Sequence, residues 1–333
     1  MSKLISYSSD YYEAFKTYYK KNWPERNIGY YDYMFGIGLD AANDVHENIL
    51  AVDDENNIIG CQLYLPTRAL INGVDTRILW SHDTLIDEAF RGDLGMEFML
   101  VHKDTHVFGA GLSLINYKIQ KRIKTPFLGT EQSYILLNSM SPFSLASCLF
   151  KRGKRKELKE IDTVTANGHE FKRVTDIKEL TIPHGGYWFG VESDVEFIRD
   201  AHFIEKRFLH NFNKYDLYAH TGKDGNTDMY FVVRLTYRKG FPVLSIIDFR
   251  YNKNKESDLK IILKAASKLA RINNIPFTLL CTTMFVDKSL YTFKLKENKC
   301  AAVLGPKKLK FKNPSSIVFT MADADADFQT VDP

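Results

Sequence analysis

A glycine-containing turn, Arg91-Gly92-Asp93-Leu94-Gly95-Met96, is the segment of this sequence best suited to hold an anionic ligand. It follows an apolar strand that ends near His82-Asp83, and it leads into a short apolar helix. The first amides of a helix lack intrahelical acceptors and carry the positive end of the helix dipole, so they bind a pyrophosphate without a bulky side chain. The alternative is an ordinary joint between a strand and a helix, because glycine turns are common.

A second group of polar residues, Asp248, Arg250 and Tyr251, stands at the C-terminal end of another predicted strand. Ligands of α/β sheets collect at such strand ends, and an arginine grips a phosphate or a carboxylate with two parallel hydrogen bonds. This pattern predicts a substrate-binding role for the three residues. The alternative is a structural surface pair between Asp248 and Arg250.

Two charged segments carry further expectations. The basic cluster from Lys151 to Lys156 has the charge to hold a phosphate or an acidic partner, and the alternative is a solvated linker. The tail from Ala322 to Asp327 alternates alanine with aspartate, but it lacks the glycine and the terminal glutamate of a calcium loop. We therefore expect an acidic mobile tail and no metal site.

The same order of elements, two strands, a helix and a strand, occurs in both halves of the sequence. In the first half the predicted elements are strands near 49–52, 58–66 and 77–86, a helix from about Gly95, a strand at 106–110, a helix at 113–123 and a strand at 132–138. In the second half they are strands at 229–237 and 242–249, a helix at 257–272 and a strand at 277–282. The pattern predicts a mixed α/β (α+β) protein.

Composition shifts divide the chain into an N-terminal domain (1–148), a basic and polar connector (149–186), a C-terminal domain (187–321) and the tail (322–333). The C-terminal domain opens with a predicted helix in which Ser193 and Glu196 form a capping box.

The overall composition is that of a globular protein, with 44% apolar residues and a net charge of +4 over 333 residues. Such a small net charge does not favour DNA as a partner. No apolar run is long enough to cross a bilayer, and the four scattered cysteines fit reduced core thiols. These features predict a cytoplasmic protein.

The first half resembles the GNAT (N-acetyltransferase-like) superfamily, whose turn [RQ]-x-x-G-x-[GA] opens a helix after a long strand. Arg91 stands at the first place, whereas Leu94 and Met96 stand where the family has small residues that close on the coenzyme A pyrophosphate. The second half resembles the C-terminal domain of tandem-GNAT proteins and Fem-type transferases through FIRDAHFIEKRF and MYFVVRLTYRKGFPVLSIIDFR. The resemblance implies two GNAT-like domains, each a mostly antiparallel mixed sheet flanked by helices, with acyl-coenzyme A at residues 91–96.

Proteins that resemble this sequence in their tandem GNAT-like domains often acylate an amine on a nucleotide-linked sugar in bacterial surface-polysaccharide pathways. The resemblance therefore implies transfer of an acetyl-type group from acyl-coenzyme A (acetyl-CoA) to a small acceptor amine, without a metal. Because a fold does not fix a function, two other classes stay open. One is a Fem-type transferase that uses aminoacyl-transfer RNA, and the other is a non-catalytic GNAT-like binding protein.

Acyl transfer from a thioester to an amine needs a base for the amine and a proton donor for the leaving thiolate. By the GNAT resemblance, Asp83 or His82 is the base and Tyr134 is the acid, with Glu131 as a further candidate beside the same strand. The alternatives are that His82 and Asp83 bond nearby backbone groups and that Tyr134 belongs to the core.

Overall fold

The computed structural model describes residues 2–24, 29–30, 47–102, 104–109, 117–118, 121–122, 124–125, 127–138, 157–189, 194–251, 257–295, 300–304 and 317–323. The basic cluster 151–156, most of the predicted helix 113–123, Ser193 and the tail beyond Asp323 lie outside these ranges.

The strands of the described chain are β1 (Lys3–Ser6), β2 (Ile49–Val52), β3 (Ile58–Ile71), β4 (Val74–Ile86), β5 (Val107–Gly109), β6 (Phe127–Thr130), β7 (Gln132–Leu137), β8 (Thr163–Ala166), β9 (His169–Val174), β10 (Val195–Phe197), β11 (Asp216–Thr221), β12 (Thr227–Arg238), β13 (Phe241–Tyr251), β14 (Phe277–Thr282), β15 (Phe293–Lys294), β16 (Cys300–Leu304) and β17 (Ile317–Val318). The α-helices are α1 (Tyr12–Asn22), α2 (Arg91–Val101), α3 (Ala201–Ile204) and α4 (Ser257–Ile272).

The chain divides into two compact units, and both are discontinuous in sequence. Unit 1 comprises Met1–Ala69, Val74–Gly129 and Lys299–Lys312, and unit 2 comprises Leu70–Gly73, Thr130–Asn298 and Asn313–Pro333. Strand β16, from the second half of the sequence, therefore belongs to unit 1, while β7, from the first half, belongs to unit 2. These limits differ from the predicted borders at 148 and 187, because each half of the sequence gives a strand to the other unit.

Unit 1 is built on a sheet of order β1-β2-β3-β4-β5-β16-β6. Strands β4 and β5 run parallel, with Leu79 opposite Val107 and Ser81 opposite Gly109, and β16 adds to β5 in the antiparallel sense. The apolar face of the sheet packs on helix α2 through Leu94 and Phe98, both of which are buried with Leu79 and Val107. This packing fixes the position of α2 directly after β4.

Unit 2 is built on a sheet of order β15-β7-β14-β13-β12-β11-β9-β8. Strands β13 and β14 run parallel from Val243 and Phe277 to Ile246 and Leu280, and the register of β13 against β12 shifts at Ile247. Helix α4 covers this sheet. The apolar face that the sequence predicts for α4 is confirmed, because the six residues that form it are buried: Leu259, Ile262, Leu263, Ala266, Leu269 and Ala270.

The helix predicted to start at a capping box of Ser193 and Glu196 begins later. Glu196 lies in β10, where its buried carboxylate accepts the backbone N–H groups of Trp188 and Phe189, and β10 pairs in parallel with β17. Helix α3 starts at Ala201 because Asp200 caps it by accepting the Phe203 N–H. The prediction of the capping box is therefore wrong, since strand pairing and a buried carboxylate outweigh the local helical pattern.

Candidate functional site

The predicted pyrophosphate turn is part of a helix. A 3-10 turn, Glu88–Phe90, runs straight into α2, so Arg91 to Met96 form the first turns of that helix and not a loop before it. Leu94 points into the core and is 1% exposed, whereas Arg91, Gly92 and Met96 are exposed. Leu94 therefore stands at a position that the core of unit 1 requires, which is why it departs from the small residue of the family pattern.

The N-terminus of α2 keeps the features of an anion site. No side-chain hydrogen bond at Phe90 caps this helix in the described part of the chain. A Cβ atom added at Gly92 would meet nothing within 4 Å, and one at Gly95 would meet only Ile86, at 3.8 Å. The Arg91 N–H already donates to the Glu88 carbonyl of the 3-10 turn, and the open space lies beside Gly92, which suits a pyrophosphate. Asp93 lies in the same turn.

His82 and Asp83 lie inside β4, before its end at Ile86, and their side chains are each 3% exposed. Consecutive residues of a strand normally point to opposite faces. Asp83, however, has a φ of +34°, and it is the one non-glycine residue within a described strand that adopts a left-handed conformation. This local distortion brings the His82 Nδ1 and Asp83 Oδ2 atoms to 3.6 Å from each other.

A tyrosine hydroxyl connects these two side chains. The Tyr30 oxygen lies 2.8 Å from His82 Nδ1, and its hydroxyl donates to Asp83 Oδ2 at 3.0 Å. Tyr19, on helix α1, donates a second hydrogen bond to Asp83 Oδ2 at 3.1 Å. Both tyrosines are buried. The result is a buried cluster of one imidazole, one carboxylate and two phenols, which we call the His82 cluster.

The remaining ring nitrogen of His82 has no hydrogen-bond partner among the residues that the structure describes. Its Nε2 atom is buried, and no described residue donates to it or accepts from it. An unsatisfied buried polar atom costs about 1–3 kcal/mol, which a bound donor or acceptor recovers. Buried groups of this kind in native proteins are rare and mark candidate functional atoms.

Neighbouring side chains hold the backbone of this cluster in place. The Gln62 amide donates to the His82 carbonyl at 3.1 Å and to the Ser81 hydroxyl at 2.9 Å, while Thr84 donates to the Gln62 carbonyl oxygen. Tyr18, one residue before Tyr19, donates to Asp87 at 3.1 Å. Burial raises the pKa of Tyr18 well above its ordinary value, so this phenol stays a proton donor.

The other two predicted catalytic residues, Glu131 and Tyr134, belong to unit 2. Strand β7 pairs with β14 and β15, so it is not the last strand of the first domain as the element order predicted. Glu131 is buried and accepts a hydrogen bond from the Cys281 thiol at 2.9 Å. Tyr134 is 5% exposed, and its ring packs against Tyr291 at 4.8 Å between centroids.

The predicted substrate-binding group is a buried charge network in unit 2. Asp248 and Arg250 are both fully buried, and the guanidinium of Arg250 donates to Asp248 at 2.9 Å. Arg199 binds the same carboxylate with two hydrogen bonds, of 2.7 and 3.1 Å. Tyr251 is buried and its ring contacts Phe189. The expected ion pair is present, but it lies in the core and not at the surface.

The first residues of the predicted mobile tail take part in this network. Ala322 and Asp323 are buried in a 3-10 turn, Met321–Asp323. Asp323 accepts from Arg199 at 2.6 Å, and Thr320 donates to Asp248 at 2.7 Å. Within the described residues, no three histidine, cysteine, aspartate or glutamate side chains group as a metal site requires.

Reasoning from sequence missed Tyr19 and Tyr30. Phe15, Tyr18 and Tyr19 follow helical spacing on α1, which is typical of a core stripe, and all three are indeed buried. The available signal was the excess of phenols over phenylalanine in this stripe, because a buried tyrosine usually finds a hydrogen-bond partner.

Comparison with solved structures identifies the fold. A conserved protein of Enterococcus faecalis V583, described as a probable N-acyltransferase, matches 91% of this chain and 72% of its own length, with a TM-score of 0.56 and 11% identity. The N-myristoyltransferase of Saccharomyces cerevisiae with bound myristoyl-CoA matches 91% of this chain and 82% of its own, with a TM-score of 0.56 and 9% identity. A GCN5-related N-acetyltransferase from Anabaena variabilis matches with a TM-score of 0.53, 10% identity and 91% and 72% coverage.

No family model matches the sequence, and neither does any curated protein sequence. At such low identities the structural likeness establishes the fold alone. The chain therefore has a mixed α/β GNAT-type fold, as its element order and the resemblance implied. None of the described helices is both long and apolar enough to span a membrane.

Proposed function

We propose that this protein is an N-acyltransferase in which unit 1 binds acyl-coenzyme A and His82 accepts the proton of an acceptor amine. The observation that carries this proposal is the buried Nε2 atom of His82, on the strand that leads into α2, to which no side chain or backbone group of the described residues is hydrogen-bonded. A general base needs a lone pair that is held in a fixed direction, and the contact of Nδ1 with the Tyr30 oxygen holds the ring that carries Nε2.

The N-terminus of α2 is the part of unit 1 that suits the pyrophosphate of coenzyme A. Its amides are not capped by a side chain, and the space in front of Gly92 is open. The exposed guanidinium of Arg91 lies in the same turn, where its Nε donates to the Ile86 carbonyl at 3.2 Å. Acyl-coenzyme A bound there supplies the thioester, and the chain supplies the amides and the base.

The reaction balances with one base. The amine nitrogen forms a bond with the thioester carbon, the C–S bond breaks, and the sulfur leaves with the electron pair. His82 Nε2 takes the proton that the nitrogen loses, and the thiolate receives a proton to give free coenzyme A. Tyr134 of unit 2 stays the proposed donor of that proton, as the GNAT resemblance implies. Tyr134 and Glu131 remain candidates for mutation.

The acceptor class follows from the resemblance to tandem-GNAT proteins, so we propose an amine on a nucleotide-linked sugar and a cytoplasmic reaction. The donor is less defined, because the similar structures include both an N-acetyltransferase and a myristoyl-CoA complex. A donor series from acetyl-CoA to myristoyl-CoA is therefore the right screen.

The test combines calorimetry with an assay of thiol release. We expect coenzyme A to bind the full chain, and we expect one pairing of acyl-coenzyme A and amino sugar to release free thiol. His82→Gln should lower turnover by about 10²- to 10⁴-fold without weakening coenzyme A binding. His210→Gln is the matched control, because the His210 side chain is 63% exposed and should leave turnover unchanged.

Two results would count against the proposal. If millimolar coenzyme A gives no heat of binding and no pairing releases thiol, the chain is a GNAT-like binding protein and not an acyltransferase. If coenzyme A binds and thiol is released but His82→Gln turns over at the parent rate, the protein is an acyltransferase whose base is a residue other than His82.

A further inference from the structure

The His82 cluster depends on one unusual backbone conformation. Side chains at consecutive strand positions diverge to opposite faces, so His82 and Asp83 would not share a partner in a regular strand. The left-handed φ of +34° at Asp83 turns its carboxylate back toward the imidazole. Aspartate tolerates this conformation better than most residues, but it still carries a cost, and such costs cluster at functional sites.

The single proton of the Tyr30 hydroxyl determines which ring nitrogen of His82 carries hydrogen. The Tyr30 hydroxyl has one proton, and its oxygen lies 2.8 Å from His82 Nδ1 and 3.0 Å from Asp83 Oδ2. An ionised carboxylate only accepts hydrogen bonds, so the Tyr30 proton goes to Asp83. The Tyr30 oxygen is then an acceptor, and His82 Nδ1 must be the donor. The reverse order would leave two oxygen atoms 3.0 Å apart with no proton between them.

Tyr19 favours the same direction of the hydrogen bonds, from His82 through Tyr30 to Asp83. It donates to the same Asp83 oxygen at 3.1 Å, so Asp83 Oδ2 receives two phenolic hydrogen bonds in a buried setting. Hydrogen bonds to the charged form of a carboxylate favour that form. An ionised Asp83 in turn holds the Tyr30 proton on its own side. The direction of the whole chain of bonds is thereby fixed.

We infer that Tyr30 is a positioning residue, which fixes His82 as the tautomer with hydrogen on Nδ1 and a lone pair on Nε2. The chain of bonds runs from His82 Nδ1–H to the Tyr30 oxygen, and from the Tyr30 O–H to Asp83. This inference assigns Asp83 the role of orienting group and reserves the role of base for His82. It deepens the proposed function and rests on it for its catalytic meaning, but the tautomer itself can be measured without a substrate.

Nitrogen NMR of protein labelled at histidine tests the inference directly. The chain has 9 histidines, and the His82 signals are those lost in His82→Gln. We expect a protonated Nδ1 and an unprotonated Nε2 in the parent at neutral pH. In Tyr30→Phe, which keeps the ring and removes the hydroxyl, the two nitrogens should average between tautomers. Tyr18→Phe is the matched control, because the Tyr18 hydroxyl donates to Asp87 and to no member of the His82 cluster, so the signals of the parent should be unchanged.

Hydrogen on Nε2 in the parent would overturn the inference, and so would an unchanged tautomer in Tyr30→Phe. The parent spectrum alone decides the matter if Tyr30→Phe does not fold, which circular dichroism checks. Where thiol release is measurable, Tyr30→Phe should lower kcat by about 10-fold with KM for acyl-coenzyme A unchanged. Absence of any thiol release together with the expected tautomer would reject the proposed function and leave the positioning role of Tyr30 standing.

Discussion

Replacing Asp248 by asparagine is the sharpest test of how unit 2 is held together. Asp248 is fully buried and its carboxylate accepts hydrogen bonds from Arg199, Arg250, Tyr230 and Thr320. Asparagine keeps the shape, but it removes the charge and points two N–H groups at donors. The arginines would be left buried with too little negative charge near them.

The expected magnitude follows from that geometry. Removing one partner of a buried, hydrogen-bonded ion pair costs about 3–5 kcal/mol, because the other charge stays buried and uncompensated. Urea denaturation of the parent and of Asp248→Asn should show this loss as a lower midpoint. Glu160→Gln is the control, since Glu160 pairs with Lys214 at the surface and its loss should leave the midpoint unchanged.

The loss should also depend on pH with a defined sign. Burial opposes ionisation of Asp248, but Arg199 and Arg250 more than offset this, so the pKa of Asp248 lies well below its ordinary value. Its contribution is therefore present above about pH 4, the unfolded value, and falls as the pH drops further. The difference between parent and variant should shrink by about 1.4 kcal/mol per pH unit in that range.

If Asp248→Asn unfolds within about 1 kcal/mol of the parent at neutral pH, the network is not a structural anchor. The predicted substrate-binding role of Asp248 and Arg250 would then become the better explanation of their burial. A difference that grows toward acid pH would likewise show that the sign of the pKa shift is wrong.

Three further predictions concern helix α2 and the Cys281 thiol. Gly92→Ala should keep or raise stability by up to about 1 kcal/mol, because no atom meets its Cβ, while coenzyme A affinity measured by calorimetry falls. Unchanged affinity would move the pyrophosphate away from this turn. Leu94→Ala should lower the free energy of unfolding, measured by urea denaturation, by about 2–5 kcal/mol. Met96 is 47% exposed, so Met96→Ala should lower it only slightly. Equal losses in the two variants would contradict the core role of Leu94. Burial raises the pKa of Cys281, so this thiol should react with alkylating reagents only after unfolding; rapid labelling of native protein would disprove its burial.

Local pattern was sufficient for the elements that carry their own signal. Helix α4 shows its apolar face in sequence, and all six residues of that face are buried. Strands β12, β13 and β14 lie within a few residues of their predicted limits. Periodicity reports such elements because each one buries a face that the sequence itself defines.

Pairing between distant segments was not visible in the sequence. The residues of β7 read as the last strand of the first domain, yet β7 pairs with β14 in unit 2. The amino-acid sequence of β16 does not indicate that this strand pairs with β5. The choice of partner depends on which edges the whole fold leaves open, and that information is not local.

Contacts between distant segments also explain why only part of the His82 cluster could be predicted from the sequence. The sequence indicates His82 and Asp83, because a histidine or an aspartate near a strand end can accept a proton from a substrate. Tyr30 could not be added, since its role depends on the left-handed φ of Asp83 and on contacts between residues more than fifty positions apart. The proposal of His82 as the base also rests on the distances between the Tyr30 oxygen and its two neighbours, which the sequence does not contain.

The place of β16 has a consequence for biosynthesis. Strand β5 is complete early in translation, but its neighbour Cys300–Leu304 is made only after nearly all of unit 2. At a synthesis rate of about 5–20 residues per second, β5 waits for this partner for roughly ten seconds or more. An open strand edge during that interval invites mispairing, so the nascent N-terminal half is the stage at which a chaperone would matter most. For the same reason, an expressed fragment that stops before Lys299 would present unit 1 with that edge exposed for good.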